Sequence, residues 1–171
     1  LRGQALVNAE TVNNVNQWFY ALWQQQIWPG LVNTVLLGQI SLVFDTLPGG
    51  LVGSQFATHL VLQDQFLLDA LSTQSLTLQS YTTIDLYSNA SVNRVANSID
   101  LLASGLRGYI SLGSTIQLTA SDILVSNPSS ASALSPPGTN QGTLSISAET
   151  LRFGENAFSV LGFQNLEISA S

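Results

Sequence analysis

His59 is the only histidine in the chain, and so the only side chain whose ordinary pKa lies near neutrality. A Ser-His-Asp arrangement is open to any chain with 22 serines, yet no Gly-x-Ser-x-Gly elbow occurs, and His59 sits in the strand-like stretch Thr58-His59-Leu60-Val61-Leu62. An outward-facing strand residue is the simpler reading, and no catalytic residue is assigned. The acids offer more. Asp85, Asp100 and Glu167 each occupy the middle of an apolar-x-apolar phrase, on the side opposite to a core-facing ladder. With Asp85 and Asp100 stacked one coil apart, roughly 5 Å would separate them, a spacing for a carboxylate pair or a weak cation site. Counterparts of these positions are Thr77, Gln117 and Ser145, so solvated face residues are the plainer expectation. Arg107, in Gly105-Leu106-Arg107-Gly108-Tyr109, is either an anion ligand or the partner of a salt bridge to Asp100 or Asp122. The aromatics Trp18, Tyr20, Trp23 and Trp28 are candidates for a platform on which sugar rings stack; packing of a covering helix is the competing expectation. No phosphate-binding glycine loop and no metal-ligand spacing is found, so no cofactor and no metal are assigned.

Positioning such residues falls to short strands. From about residue 75 onward one phrase recurs, apolar-polar-apolar followed by small residues: Leu76-Thr77-Leu78, Ile84-Asp85-Leu86, Ile99-Asp100-Leu101, Ile116-Gln117-Leu118, Ile123-Leu124-Val125, Leu144-Ser145-Ile146, Leu151-Arg152-Phe153 and Leu166-Glu167-Ile168. Period-two alternation marks strands with one buried face. Glycines at 105, 108, 113, 142, 154 and 162 supply turns between them. Taking 76, 99, 116, 144 and 166 as equivalent first apolar residues gives steps of 23, 17, 28 and 22, a mean of 22.5. That period, with two or three strands in each, points to a solenoid. The long step holds the Pro/Ser-rich tract 127–142, read as a loop leaving one coil. An antiparallel sandwich would call for tight Asn-Gly or Asp-Gly hairpins, and neither dipeptide occurs. An all-β, right-handed parallel β-helix is therefore the expected fold.

Composition agrees. Only 14 of 171 residues are charged, with no lysine, where about 25%, roughly 43 residues, is usual. Ser, Thr, Asn and Gln together number 61. Coils in register place like residues above one another, and stacked hydroxyls and amides can share hydrogen bonds whereas stacked like charges repel. A net charge of −6 with four dispersed arginines argues against nucleic acid and anionic membrane surfaces. Absence of cysteine excludes disulfides and zinc thiolates. No apolar stretch reaches the roughly 20 residues needed to span a bilayer.

Residues 1–55 read differently, as a Trp-, Gln- and Asn-rich segment. Val15, Trp18, Phe19, Leu22, Trp23 and Ile27 recur at near-helical spacing, which predicts a covering helix over about 12–27. A strand is expected over Leu36 to Phe44, a turn at Leu47-Pro48-Gly49-Gly50, and two further strands at Leu60–Leu62 and Phe66–Leu68. Residues 56–171 form the coils. The chain opens on Leu1 and stops within the strand-like Ile168-Ser169-Ala170-Ser171, which reads as a segment of a longer protein flanked by more coils of the same chain.

The stretches SLTLQSYTTIDLYSNASV (75–92), LLASGLRGY (101–109), TIQLTASDILVSN (115–127) and GTLSISAETLRFGENAFSVLGFQNLEISAS (142–171) resemble the filamentous-haemagglutinin-type exoproteins of Gram-negative bacteria. The resemblance implies a right-handed β-helical passenger exported by two-partner secretion through an outer-membrane transporter. It further implies a non-enzymatic part in adhesion or display at the bacterial cell surface, with a host or neighbouring-cell glycan or protein as partner. Two other readings stay open. A β-helical polysaccharide lyase or hydrolase requires three or more acids converging in one groove; the shaft of an extracellular filament or phage fibre requires self-assembly.

Overall fold

The computed structural model describes residues 32–37, 39–45, 60–135 and 138–170. The strands are β1 (Val32–Leu37), β2 (Ile40–Val43), β3 (Leu60–Gln63), β4 (Ser75–Ser80), β5 (Thr83–Ser88), β6 (Val92–Leu102), β7 (Gly105–Ile110), β8 (Thr115–Ser126), β9 (Thr143–Phe153), β10 (Ser159–Leu161) and β11 (Asn165–Ala170), with one helix, α1 (Asp64–Leu71), between β3 and β4. Six strands make sheet A in the order β1-β4-β6-β8-β9-β11, and five make sheet B in the order β10-β7-β5-β2-β3. Every pairing is parallel. The chain is a parallel β-solenoid of about five turns, the architecture expected from the recurring phrase.

Side-chain parity explains the shape of a coil. In β8, Ile116, Leu118 and Ala120 point inward and are buried, and so do Ile123 and Val125, with Ser121 and Asp122 between the two sets. Two successive outward residues invert the alternation and turn the strand through a corner. The corner recurs at Asn97, Ser121 and Glu149, all exposed, where the paired registers skip a position. Sheet A thus has two halves: 92–96, 115–120, 143–148 and β11 before the corner, and β1, β4, 98–102, 122–126 and 150–153 after it.

This corner corrects the repeat. Ile99 stacks on Ile123, and Val92 on Ile116, both 24 residues on. The step of 17 from Ile99 to Ile116 passes from one half of the sheet to the other. True steps are 23 (Leu76 to Ile99), 24, 28 (Ile116 to Leu144) and 22 (Leu144 to Leu166). Inward ladders such as Leu76-Ile99-Ile123 and Ile40-Ile84-Leu106 are almost fully buried. Each such residue contributes about 1.5–3 kcal/mol relative to exposure.

The long step carries the tract 127–142, which contributes no strand among its described residues. The tract is not an addition to a complete coil; it stands where the sheet B strand of that coil would be, and β10 of the next coil pairs directly with β7. Asn127 holds the departure point, its Nδ2 donating to the carbonyls of Ala131 and Ala157, each at 2.9 Å. The missing strand also leaves core volume to fill. Gly108 aligns with inward-facing Leu86, and the Phe163 ring lies where a Cβ on Gly108 would be, 2.5 Å away. An aromatic from the following coil thus occupies the space that a larger residue at 108 would take.

Two local expectations are overturned. Phe66–Leu68 belongs to α1, where Phe66, Leu67, Ala70 and Leu71 are buried; spacing of four puts them on one helical face, and the run Phe66-Leu67-Leu68 lacks the alternation of a half-buried strand. Ser72 and Thr73 end the helix by donating to the carbonyls of Asp69 and Ala70. The single strand expected over Leu36 to Phe44 is instead two, β1 pairing with β4 in sheet A and β2 pairing with β5 and β3 in sheet B. Residues grouped with the Trp-rich segment by composition therefore already belong to the solenoid. The helix expected over 12–27 and the turn at 47–50 lie outside the described residues.

Candidate functional site

The outward residues of the solenoid form three surfaces of different chemistry. On sheet B, Asp85 of β5 is in register with Ser41 of β2 and Arg107 of β7. Its side chain is fully buried, and that of Arg107 is 11% exposed. Arg107 Nε donates to Oδ1 at 2.8 Å and Nη2 to Oδ2 at 2.5 Å, a bidentate fork. Thr83 Oγ1 donates to Oδ1 at 2.9 Å and Gln39 Nε2 to Oδ2 at 2.8 Å, so both oxygens are doubly satisfied. Arg107 Nη1 donates to the carbonyl of Ser135 at 3.3 Å, tying the 127–142 tract to the sheet. One position along, Tyr87 and Tyr109 stack with centroids 4.6 Å apart and planes 9° apart, and the guanidinium carbon lies 5.6 Å from the Tyr109 centroid. Burial and the neighbouring Asp85 charge raise both phenols above the ordinary tyrosine range, so both are neutral. Burial disfavours the Arg107 charge, but the hydrogen bonds and charge of Asp85 outweigh it and raise its pKa.

The second surface is the half of sheet A after the corner. Arg152 Nε donates to Asp122 Oδ1 at 3.0 Å and Nη2 to Asp122 Oδ2; Asp100 Oδ1 lies 3.8 Å from the same Nη2. Thr77 Oγ1 donates to Asp100 Oδ2 at 3.3 Å. Arg152 is half-exposed. Its hydrogen bonds hold the Asp122 carboxyl below the usual range, against a small opposing effect of burial.

Several sequence expectations are thereby corrected. Asp85 and Asp100 do not stack: they stand on different sheets, since Asp100 pairs in register with Thr77 and Leu124. Asp85 is not a solvated face residue, because a cation one coil away lets it be buried. Arg107 does form a salt bridge, but with Asp85 and not with Asp100 or Asp122. Asp85, Asp100 and Asp122 do not converge in one groove, and each faces an arginine. Glu167 is exposed, in register with Ser145. Trp18, Tyr20, Trp23, Trp28 and His59 lie outside the described residues. The sequence pattern alone does not mark Arg152, Tyr87 or Tyr109 as site residues, although Arg152 sits mid-phrase in Leu151-Arg152-Phe153 and Arg107 follows Asp85 by 22 residues, one coil.

The third surface, the half of sheet A before the corner, is nearly uncharged. One outward row runs Asn93-Gln117-Ser145-Glu167, and a second Val95-Thr119-Ser147-Ser169, each in register from strand to strand. Gln117, Thr119, Ser145 and Ser147 are partly exposed and make no side-chain hydrogen bond among the described residues.

Fold and surfaces together define a parallel β-solenoid that sets arginine–carboxylate pairs on two surfaces and in-register neutral polar rows on the third. No family model, no curated protein and no solved structure matches the chain. Among the described residues no helix is long and apolar enough to cross a membrane, and no three His, Asp or Glu side chains are grouped to hold a metal ion.

Proposed function

We propose that this chain is a non-enzymatic β-solenoid segment of a large secreted or cell-surface adhesin of the filamentous-haemagglutinin type, exported through an outer-membrane transporter and serving adhesion or display. The observation that carries the reading is the stack of in-register parallel coils with outward rows of neutral polar residues, a rigid scaffold that holds a surface in place. The likeness of residues 75–92, 101–109, 115–127 and 142–171 to that family adds the setting. Pairing of Asp85, Asp100 and Asp122 with arginines favours this reading over a polysaccharide-degrading enzyme, whose acid and base must be free to exchange protons. Beads coated with the purified chain should adhere to a layer of cells more than beads coated with an unrelated β-protein of equal charge. Equal adherence of the two would sink the proposal.

A further inference from the structure

We infer that the half of sheet A before the corner is a docking face for a neutral polysaccharide chain lying along the solenoid axis. The inference deepens the adhesion reading and rests on it for its biological setting. Three properties carry it. The rows through Gln117-Ser145 and Thr119-Ser147 place a neutral side chain at every rung except Glu167, about 4.8 Å apart, with neighbouring rows roughly 6.7 Å apart along the strand. An extended glycan presents hydroxyl groups at comparable intervals, so donors and acceptors can be met repeatedly without either chain bending.

Second, hydrogen-bonding capacity is left over along these rows. On sheet B and beyond the corner the outward polar groups at Asp85, Arg107, Asp122 and Arg152 bind one another, whereas Gln117, Thr119, Ser145 and Ser147 have no protein partner among the described residues. Third, the two rows carry no cation and, apart from Glu167 on the last strand, no anion; Arg94 of β6 is off the rows, in register with inward-facing Leu118, and its Nη2 donates to the carbonyl of Phe44 at 2.7 Å. A charged partner finds no counter-charge here; a hydroxylated neutral one finds amides and hydroxyls that exchange water for sugar at little electrostatic cost.

The test uses the whole chain with insoluble cellulose, chitin and mixed-linkage β-glucan, and with pectate as the charged comparison. Ser145→Arg puts bulk and charge at the centre of the face, and Glu167 in register beside it keeps the substitution compatible with folding. Thr150→Arg, beside Asp122 beyond the corner, is the matching control. The expected result is co-sedimentation with at least one neutral polysaccharide, lowered about tenfold or more by Ser145→Arg, a loss of about 1.4 kcal/mol, and unchanged by Thr150→Arg, with all three proteins showing the same circular dichroism. No sedimentation with any neutral polysaccharide overturns the inference, as does equal behaviour of the two variants, preference for pectate, or a dimer of the chain that Ser145→Arg dissociates. If the coated beads still adhere to cells while no polysaccharide is bound, the docking face is wrong and the adhesion reading stands.

Discussion

Two arginine–carboxylate pairs, built from the same groups and each bridging adjacent coils, sit on the two sheets in opposite conditions. Asp85 and Arg107 are enclosed, with side-chain exposures of 0% and 11%, while Asp122 and Arg152 retain 30% and 50%. The enclosed pair has lost most of its water, and four donors take its place around the two Asp85 oxygens. Desolvation of this kind can exceed the Coulomb attraction, so the pair is weak evidence for net stability but strongly resists the loss of one partner. The open pair keeps its water on both sides and is screened by salt. Identical chemistry therefore serves different ends: on sheet B it fixes the register of β2, β5 and β7 and fastens the 127–142 tract, and on sheet A it only decorates a turn of the coil.

The largest effect expected from that difference is on Asp85. Asp85→Ala should lower unfolding stability by about 3–5 kcal/mol, since Arg107 is left charged and enclosed without its acceptor; urea denaturation with an unchanged slope measures it. A loss no greater than for an exposed position would show that Arg107 swings out to solvent and that the pair is not a fixed unit. Replacing both partners sharpens the point. Asp85→Leu with Arg107→Met should recover the loss and end between wild-type stability and about 1–4 kcal/mol above it, because neither charge is then buried. If the double variant is as unstable as Asp85→Ala, the hydrogen bonds from Gln39 and Thr83, and not the ion pair, hold this part of sheet B.

Arg107→Lys comes next. Lysine keeps the charge but has neither the fork nor the donor that reaches Ser135, and about 1.5–3 kcal/mol should go with them. Hydrogen exchange should rise in residues 128–135 beyond the general rise caused by destabilisation. An unaltered exchange pattern there would mean that Arg107 does not anchor the tract.

The enclosed pair lies at the coil spacing in the sequence, 22 residues from Asp85 to Arg107, and a feature of the coil hides it. Strands β8 and β9 each carry two apolar-x-apolar phrases, seven residues apart across the corner, as Ile116 and Ile123 or Leu144 and Leu151 are. Matching phrases by pattern alone slides from one half to the other, setting Ile99 against Ile116 and Asp85 against Asp100. Only the inverted parity at Ser121-Asp122 separates the halves, and hydrophobic alternation hides it because both sides look like strands. The coil architecture itself was plain, since every rung repeats the alternation and the tract 127–142 breaks it. Helix α1 was not, because Phe66-Leu67-Leu68 fits a buried strand as well as a helix until the second apolar pair at Ala70-Leu71 is counted with it.

The smallest effect belongs to the open pair, and its size is set by pH. Arg152 holds the folded Asp122 carboxyl below its ordinary value, so its contribution is complete above the unfolded carboxylate pKa, about 3.9, and disappears as pH falls through the lower folded value. Asp122→Asn removes the titrating group. At neutral pH and low salt the variant should melt slightly below the wild type, and raising salt should narrow the gap, since a half-exposed pair is screened. Acidification should narrow it too, and the two melting curves should meet once Asp122 is protonated in both folded and unfolded states. For Asp85→Ala the gap should persist in high salt, because solvent ions do not reach an enclosed carboxylate. A salt-insensitive gap at Asp122, or a salt-sensitive one at Asp85, would reverse the assignment of which pair is structural.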